Sequence, residues 1–181
     1  MERLIIEELL QWKTSPRRKP LILNGARQVG KTWILKHFGE IHYDNVAYIN
    51  CDKESLAAKL FEDYDVKRII QALEAMTNTQ IVAGKTLIII DEIQEVPRGL
   101  HALKYFAENA PEHHIAVAGS LLGLLLHQGE SFPVGKVNML QMYPMTFLEF
   151  LKAIGEDKMY QQLVNREWSV TNTVHEKIVK H

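Results

Sequence analysis

Gly25-Ala26-Arg27-Gln28-Val29-Gly30-Lys31-Thr32 stands between two apolar segments. Before it, Leu21-Ile22-Leu23-Asn24 follows Pro20 and reads as a short strand; after it, Trp33-Ile34-Leu35-Lys36-His37-Phe38 continues at helical spacing to Gly39. Two glycines with four residues between them, then lysine and a hydroxyl residue, make the pattern that cradles phosphate. Small residues let the backbone curl until several N–H groups face one anion, and the N-terminus of the following helix adds a favourable dipole. Lys31 would set its ammonium against the β- and γ-phosphates, and Thr32 would offer its hydroxyl to a magnesium ion. The expected nucleoside triphosphate site therefore comprises Gly25, Ala26, Arg27, Gln28, Val29, Gly30, Lys31, Thr32 and Trp33. A glycine-rich turn without a ligand is the alternative, and the strand-loop-helix context counts against it.

Thr86-Leu87-Ile88-Ile89-Ile90 is a continuous apolar run ending in Asp91-Glu92, the pattern of a central parallel strand buried on both faces. It looks like a Walker B segment. An acid at the carboxyl end of such a strand lies beside the phosphate loop and can hold magnesium, the role expected of Asp91. Glu92 is the candidate base for the attacking water. The alternative is that the two acids only end a strand or cap the next helix.

These stretches, with Ile115 to Gly123 (IAVAGSLLG), Val134 to Val137 (VGKV) and Tyr143 to Leu151 (YPMTFLEFL), resemble the AAA+-superfamily ATPases of bacteria and archaea that join an ATPase module to a C-terminal domain of unknown function. The resemblance runs from about Leu21 to Leu151. It implies an α/β P-loop NTPase fold of the additional-strand, catalytic-glutamate type, three-layer α/β/α, with a mainly parallel five-stranded sheet and a strand between the Walker A and Walker B strands. It also implies ATP, with Mg2+, rather than GTP. In such ATPases a polar sensor ends the strand read at Ile115 to Ala118, which makes Ser120 a catalytic candidate beside Glu92 and Lys31. A helix cap is the other reading of that serine.

Elsewhere, Leu4 to Trp12 reads as an amphipathic helix within an N-terminal segment 1–14, and Val46 to Asn50 as a strand. Leu56 to Phe61 and Val66 to Met76 have helical spacing, with Asp65 as N-cap of the second, and Leu100, Leu103 and Phe106 form a core stripe. Lys136 to Met142 is expected as a strand and Thr146-Phe147-Leu148-Glu149 as a capping box. The expected domains are an ATPase domain over 1–154 and the helical start of a truncated following domain over 155–181. His113-His114 is expected in an exposed loop, and Arg17 to Pro20 beside the base. Arg98, Arg68 and Lys136 are candidates for a cation that reaches a triphosphate in a neighbouring subunit, Lys136 also for one in its own; Arg27 could contact phosphate or tie the loop to nearby acids.

The chain has 181 residues, a formal net charge of −1 and one cysteine, Cys51. That length suits one α/β core, and that charge excludes a strongly basic nucleic-acid surface, although Arg17-Arg18-Lys19 leaves a local patch for nucleic acid. No internal disulfide is possible. With no secretory signal and no apolar stretch approaching a membrane span, a cytoplasmic protein is expected. Two functions remain open: Mg-dependent hydrolysis of ATP to ADP and phosphate that moves an attached domain, and a nucleotide-dependent switch with little turnover, DNA- or defence-linked. Either allows a homo-oligomer or an unidentified protein partner.

Overall fold

The computed structural model describes residues 3–54, 56–119, 133 and 135–166. Two compact units emerge: Glu7–Tyr143, and a second made of Met1–Ile6 with Pro144–His181.

The larger unit holds strands β1 (Leu21–Gly25), β2 (Asn45–Asn50), β3 (Thr86–Asp91), β4 (His114–Gly119) and β5 (Asn138–Met142) in the order β2-β3-β4-β1-β5. Every pairing is parallel. β4 therefore lies between β1 and β3, the additional strand that the resemblance implied. Burial on both faces demands continuous apolar strands, and β3 and β4 are buried at every position. Helices supply the cover. Helix α2 (Lys31–His42) inserts Ile34, Leu35 and Phe38, all fully buried, on one face; a Cβ on its Gly39 would lie 2.5 Å from Val46 Cγ2, so glycine lets this helix approach β2 closely. On the other face Ile22, Ile88, Ile90, Ile115 and Val117 form one cluster with Ile69 and Leu73 of α4 (Val66–Thr77) and Leu103 and Phe106 of α5 (Pro97–Asn109). The short α3 (Ala57–Leu60) adds Ala57 and Leu60.

Local chemistry accounts for several boundaries. Asp65 caps α4 by accepting from the N–H groups of Lys67 and Arg68, and Asn78 ends it in a left-handed conformation. Helix α1 (Ile5–Thr14) buries Leu9 and Trp12, and the Trp12 indole donates to the Lys19 carbonyl. In the smaller unit, Thr146 and Glu149 form a complete capping box at the start of α6 (Phe147–Ala153), which is followed by α7 (Asp157–Val164). Glu149 also accepts from the Leu4 N–H and pairs with Arg3 Nε at 3.1 Å, both side chains being buried.

Three expectations change. His114 is not in an exposed loop: it opens β4, is buried, and its Nδ1 lies 2.7 Å from the Tyr43 hydroxyl. Burial and the nearby Arg18, Lys13 and His113 push its pKa down to about 4. Lys136 and Val137 form a turn before β5 rather than its first residues. Arg17 to Pro20 precedes β1 and lies at the amino edge of the parallel sheet, where Arg18 donates to the Pro111 carbonyl and the Lys19 N–H to Asn138 Oδ1. The phosphate loop leaves the opposite edge.

Candidate nucleotide-binding site

Because all five strands run the same way, their carboxyl ends share one edge. Register brings the important ends together: Leu23 pairs with Ala118, Ile90 with Val117, and Asn50 with Asp91. The loop after β1 and the acids at the end of β3 thus flank the same stretch of edge, where open α/β sheets bind ligands.

The loop has the backbone that its glycines foretell. Gly25 sits at φ 155°, where an added Cβ would lie 2.3 Å from the Met142 carbonyl oxygen, so only glycine fits beside β5. Gln28 and Gly30 take φ values of 63° and 94°, which turns the chain sharply into α2. Lys31, at the first helical position, is buried at 7% exposure. Its ammonium donates to the carbonyls of Gly25 at 2.8 Å and Ala26 at 2.7 Å, which holds it inside the curl of the loop and leaves a third N–H. Burial lowers the Lys31 pKa, and the carboxylates of Glu92 and Asp91 oppose that shift.

Asp91 accepts three hydrogen bonds. Its Oδ2 accepts from the Thr32 hydroxyl at 2.7 Å and from the Tyr48 hydroxyl at 3.2 Å, while Oδ1 accepts from the Glu92 N–H at 3.1 Å. The loop hydroxyl and the strand-end carboxylate, 59 positions apart in sequence, are therefore in direct contact. Glu92 itself adopts a left-handed backbone, φ 50° and ψ 43°, and opens a 3-10 turn over Ile93–Glu95. Its Oε2 accepts from Gln94 Nε2.

A cleft of about 540 Å³ is bordered by the loop and helix residues Arg27, Gln28, Gly30, Lys31, Thr32 and Trp33. Its other wall is acidic and polar: Asp52, Glu92, Gln94 and Glu95. Trp33 is 45% exposed and stacks on His37 with ring centroids 4.6 Å apart. Gly25, Ala26, Val29 and Asp91 are not among the residues that border the cleft. Ser120 lies outside the described residues.

The cations proposed to reach phosphate have other partners. Lys136 pairs with Glu108 at 2.9 Å at the amino edge, about five strand residues or roughly 17 Å from the loop, which is too far to reach a triphosphate held there. Arg68 pairs with Asp63 at 2.7 Å, and Arg98 lies over the Tyr64 ring at 4.9 Å while donating to the Glu62 carbonyl. Sequence reasoning did not single out Tyr48 or Gln94. Alternation along β2 could have put Tyr48 on the face of Val46, but no residue pattern announces a hydroxyl aimed at Asp91.

The parallel sheet, its inserted strand and the loop-to-helix turn define an α/β P-loop NTPase fold. The family model of the AAA domain matches residues 17–151, and the chain belongs to that family. A curated relative, an uncharacterized protein of Haemophilus influenzae, is 28% identical over 171 residues, covering 91% of this chain and 40% of the relative. The chain therefore spans about two fifths of the length of that relative. Among solved structures, Drosophila ORC bound to DNA is similar at a TM-score of 0.53 with 15% identity, over 88% of this chain and 48% of that one. The Aeropyrum pernix ORC1 protein in complex with DNA gives a TM-score of 0.49 with 16% identity, over 84% and 47% respectively. The former likeness speaks to the fold alone. Membership of the AAA domain family carries nucleotide binding as its general property. Among the described residues, no helix is long and apolar enough to cross a membrane.

Proposed function

We propose that this chain is the ATP-binding and ATP-hydrolysing module of a larger protein, in which hydrolysis to ADP and phosphate changes the conformation of an attached domain. The observation that carries the proposal is the 2.7 Å contact between the Thr32 hydroxyl and the Asp91 carboxylate, beside a cleft bordered by Lys31 and Glu92. These are hard oxygen donors of the kind magnesium prefers, and they sit where a P-loop protein keeps its metal, so the residues present fit the ion. Thr32 and Asp91 would hold it; bound there, it would neutralise charge on the phosphate oxygens.

The protein groups have separable tasks. Backbone N–H groups from Gly25 to Thr32 and the N-terminus of α2 bind the phosphates, and Lys31 adds a positive charge that is already desolvated. Glu92 accepts a proton from the attacking water as its oxygen bonds to the γ-phosphorus and the bond to the β-bridging oxygen breaks, leaving ADP and phosphate. Tyr48 keeps Asp91 oriented. Ser120 retains its expected role as a sensor of the γ-phosphate end, and Arg27, within the phosphate loop, that of a cation near phosphate. With Arg68, Arg98 and Lys136 engaged elsewhere, this reading gives none of them the task of stabilising transition-state charge.

Binding is tested by titrating the protein with ATP and magnesium by calorimetry. Wild type is expected to bind and Lys31→Ala to lose at least about tenfold in affinity, since a charge-assisted contact to phosphate contributes about 1.5–3 kcal/mol. Equal affinity in the two would remove Lys31 from the site.

A further inference from the structure

Two local costs meet at one place in the site. Glu92 is a non-glycine residue held at φ 50°, in a region that side chains with a Cβ avoid. Two residues later, Gln94 keeps its carbonyl oxygen Oε1 buried with no hydrogen-bond donor. A buried acceptor without a partner is uncommon in native structures and calls for a reason. Had the amide been placed to satisfy itself, Oε1 would face a donor. Instead its orientation is fixed by the other end: Nε2 donates to Glu92 Oε2 within the tight 3-10 turn, and the reversed amide would set two oxygens against each other. Both residues border the cleft. The unusual backbone and the unpartnered oxygen thus serve one geometry, that of the Glu92 carboxylate.

We propose that Gln94 is a positioning residue for hydrolysis: its amide clasps one oxygen of Glu92, fixing the carboxylate so that the remaining oxygen is the one presented to the attacking water. The inference rests on the proposed role of Glu92 as base. Clasping removes the free rotation of a glutamate at the lip of a cleft, where an error of about 1 Å in the placement of a reacting group can cost on the order of 10²-fold in rate. Thr32 and Asp91 are held by separate hydrogen bonds, so the clasp is not needed for nucleotide binding.

The test uses the full-length protein and four forms: wild type, Gln94→Ala, Glu92→Gln and the double variant. Expected for Gln94→Ala is a fall in kcat of about 10- to 100-fold with KM for ATP and calorimetric affinity for ADP unchanged. In the Glu92→Gln background, removing Gln94 is expected to change kcat less than twofold, because a clasp without its carboxylate has nothing to position. An unchanged or raised kcat in Gln94→Ala, while Glu92→Gln has lost turnover, would overturn the clasp and leave Glu92 as base. A parallel loss of ADP affinity in Gln94→Ala would also overturn it, in favour of a structural role. If Glu92→Gln turns over like wild type, the base assignment itself fails and the clasp with it.

Discussion

Asp91 shows how a single carboxylate organises the site. Three donors from three segments converge on it: the hydroxyl of Thr32 from the loop and helix, the hydroxyl of Tyr48 from β2, and the N–H of Glu92 from its own chain. Tyr48 is further fixed by the Lys36 ammonium 3.4 Å from its ring centroid. Removing its hydroxyl leaves Asp91 with a freer rotamer but no lost charge. Tyr48→Phe is therefore expected to raise the magnesium concentration for half-maximal ATP turnover by about tenfold with little change in fold, read by titrating activity with magnesium and by thermal melting. An unaltered magnesium dependence would mean that Thr32 and the Glu92 N–H suffice to orient the carboxylate. The strand-loop-helix placement of Gly25 to Thr32 and the strand-end position of Asp91 and Glu92 were legible in the sequence because both rest on residue types in a fixed local order. Tyr48 and Gln94 were not: one acts through strand register across 43 residues, the other through the rotamer of a turn.

The elements were legible where their ends carry chemistry. Asp65 before Val66 and the Thr146 to Glu149 box each specify a helix start through a side chain that satisfies exposed backbone N–H groups, and both starts fall where those residues stand. The continuous apolar character of Thr86–Asp91 announced a strand buried on both faces. His114 was misread because two adjacent histidines look polar, whereas the ring at 114 is buried in β4 against Tyr43 and Trp12. Lys136 was misplaced because charge said nothing of which sheet edge it would occupy. Capping gives a direct test: Asp65→Ala removes the acceptor of two N–H groups and is expected to cost about 1 kcal/mol of stability, measured by urea unfolding, with ATP affinity unchanged. A cost indistinguishable from zero would place the stability of α4 wholly in Val66, Ile69 and Leu73.

The two edges of the sheet differ in character. The loop after β1 and the acids Asp91 and Glu92 gather at the carboxyl ends, while the amino edge is a packed region in which Tyr43, His114, Trp12 and Arg18 tie α1, β4 and the loops together. His114 makes that region sensitive to acid. Its pKa is about 4 in the folded protein against 6.5 for the free side chain, so the unfolded chain binds more protons between those values. Stability is therefore fully present above about 6.5 and declines as the pH falls towards 4. Urea unfolding over that window is expected to show the decline, and a His114→Gln variant to show a shallower one; equal slopes would assign the acid sensitivity to other groups. The chain covers 40% of its curated relative, and the hydrolysis proposed here concerns only the carboxyl edge of this sheet. The decisive measurement is Mg-dependent ATP hydrolysis by the full-length protein beside its Glu92→Gln variant, with the bound nucleotide identified in each. Expected is turnover by wild type and a loss of about 10²- to 10⁴-fold in the variant, which retains intact ATP. Equal turnover in both, or a wild type that binds ATP and never cleaves it, would contradict the hydrolytic function assigned to this site.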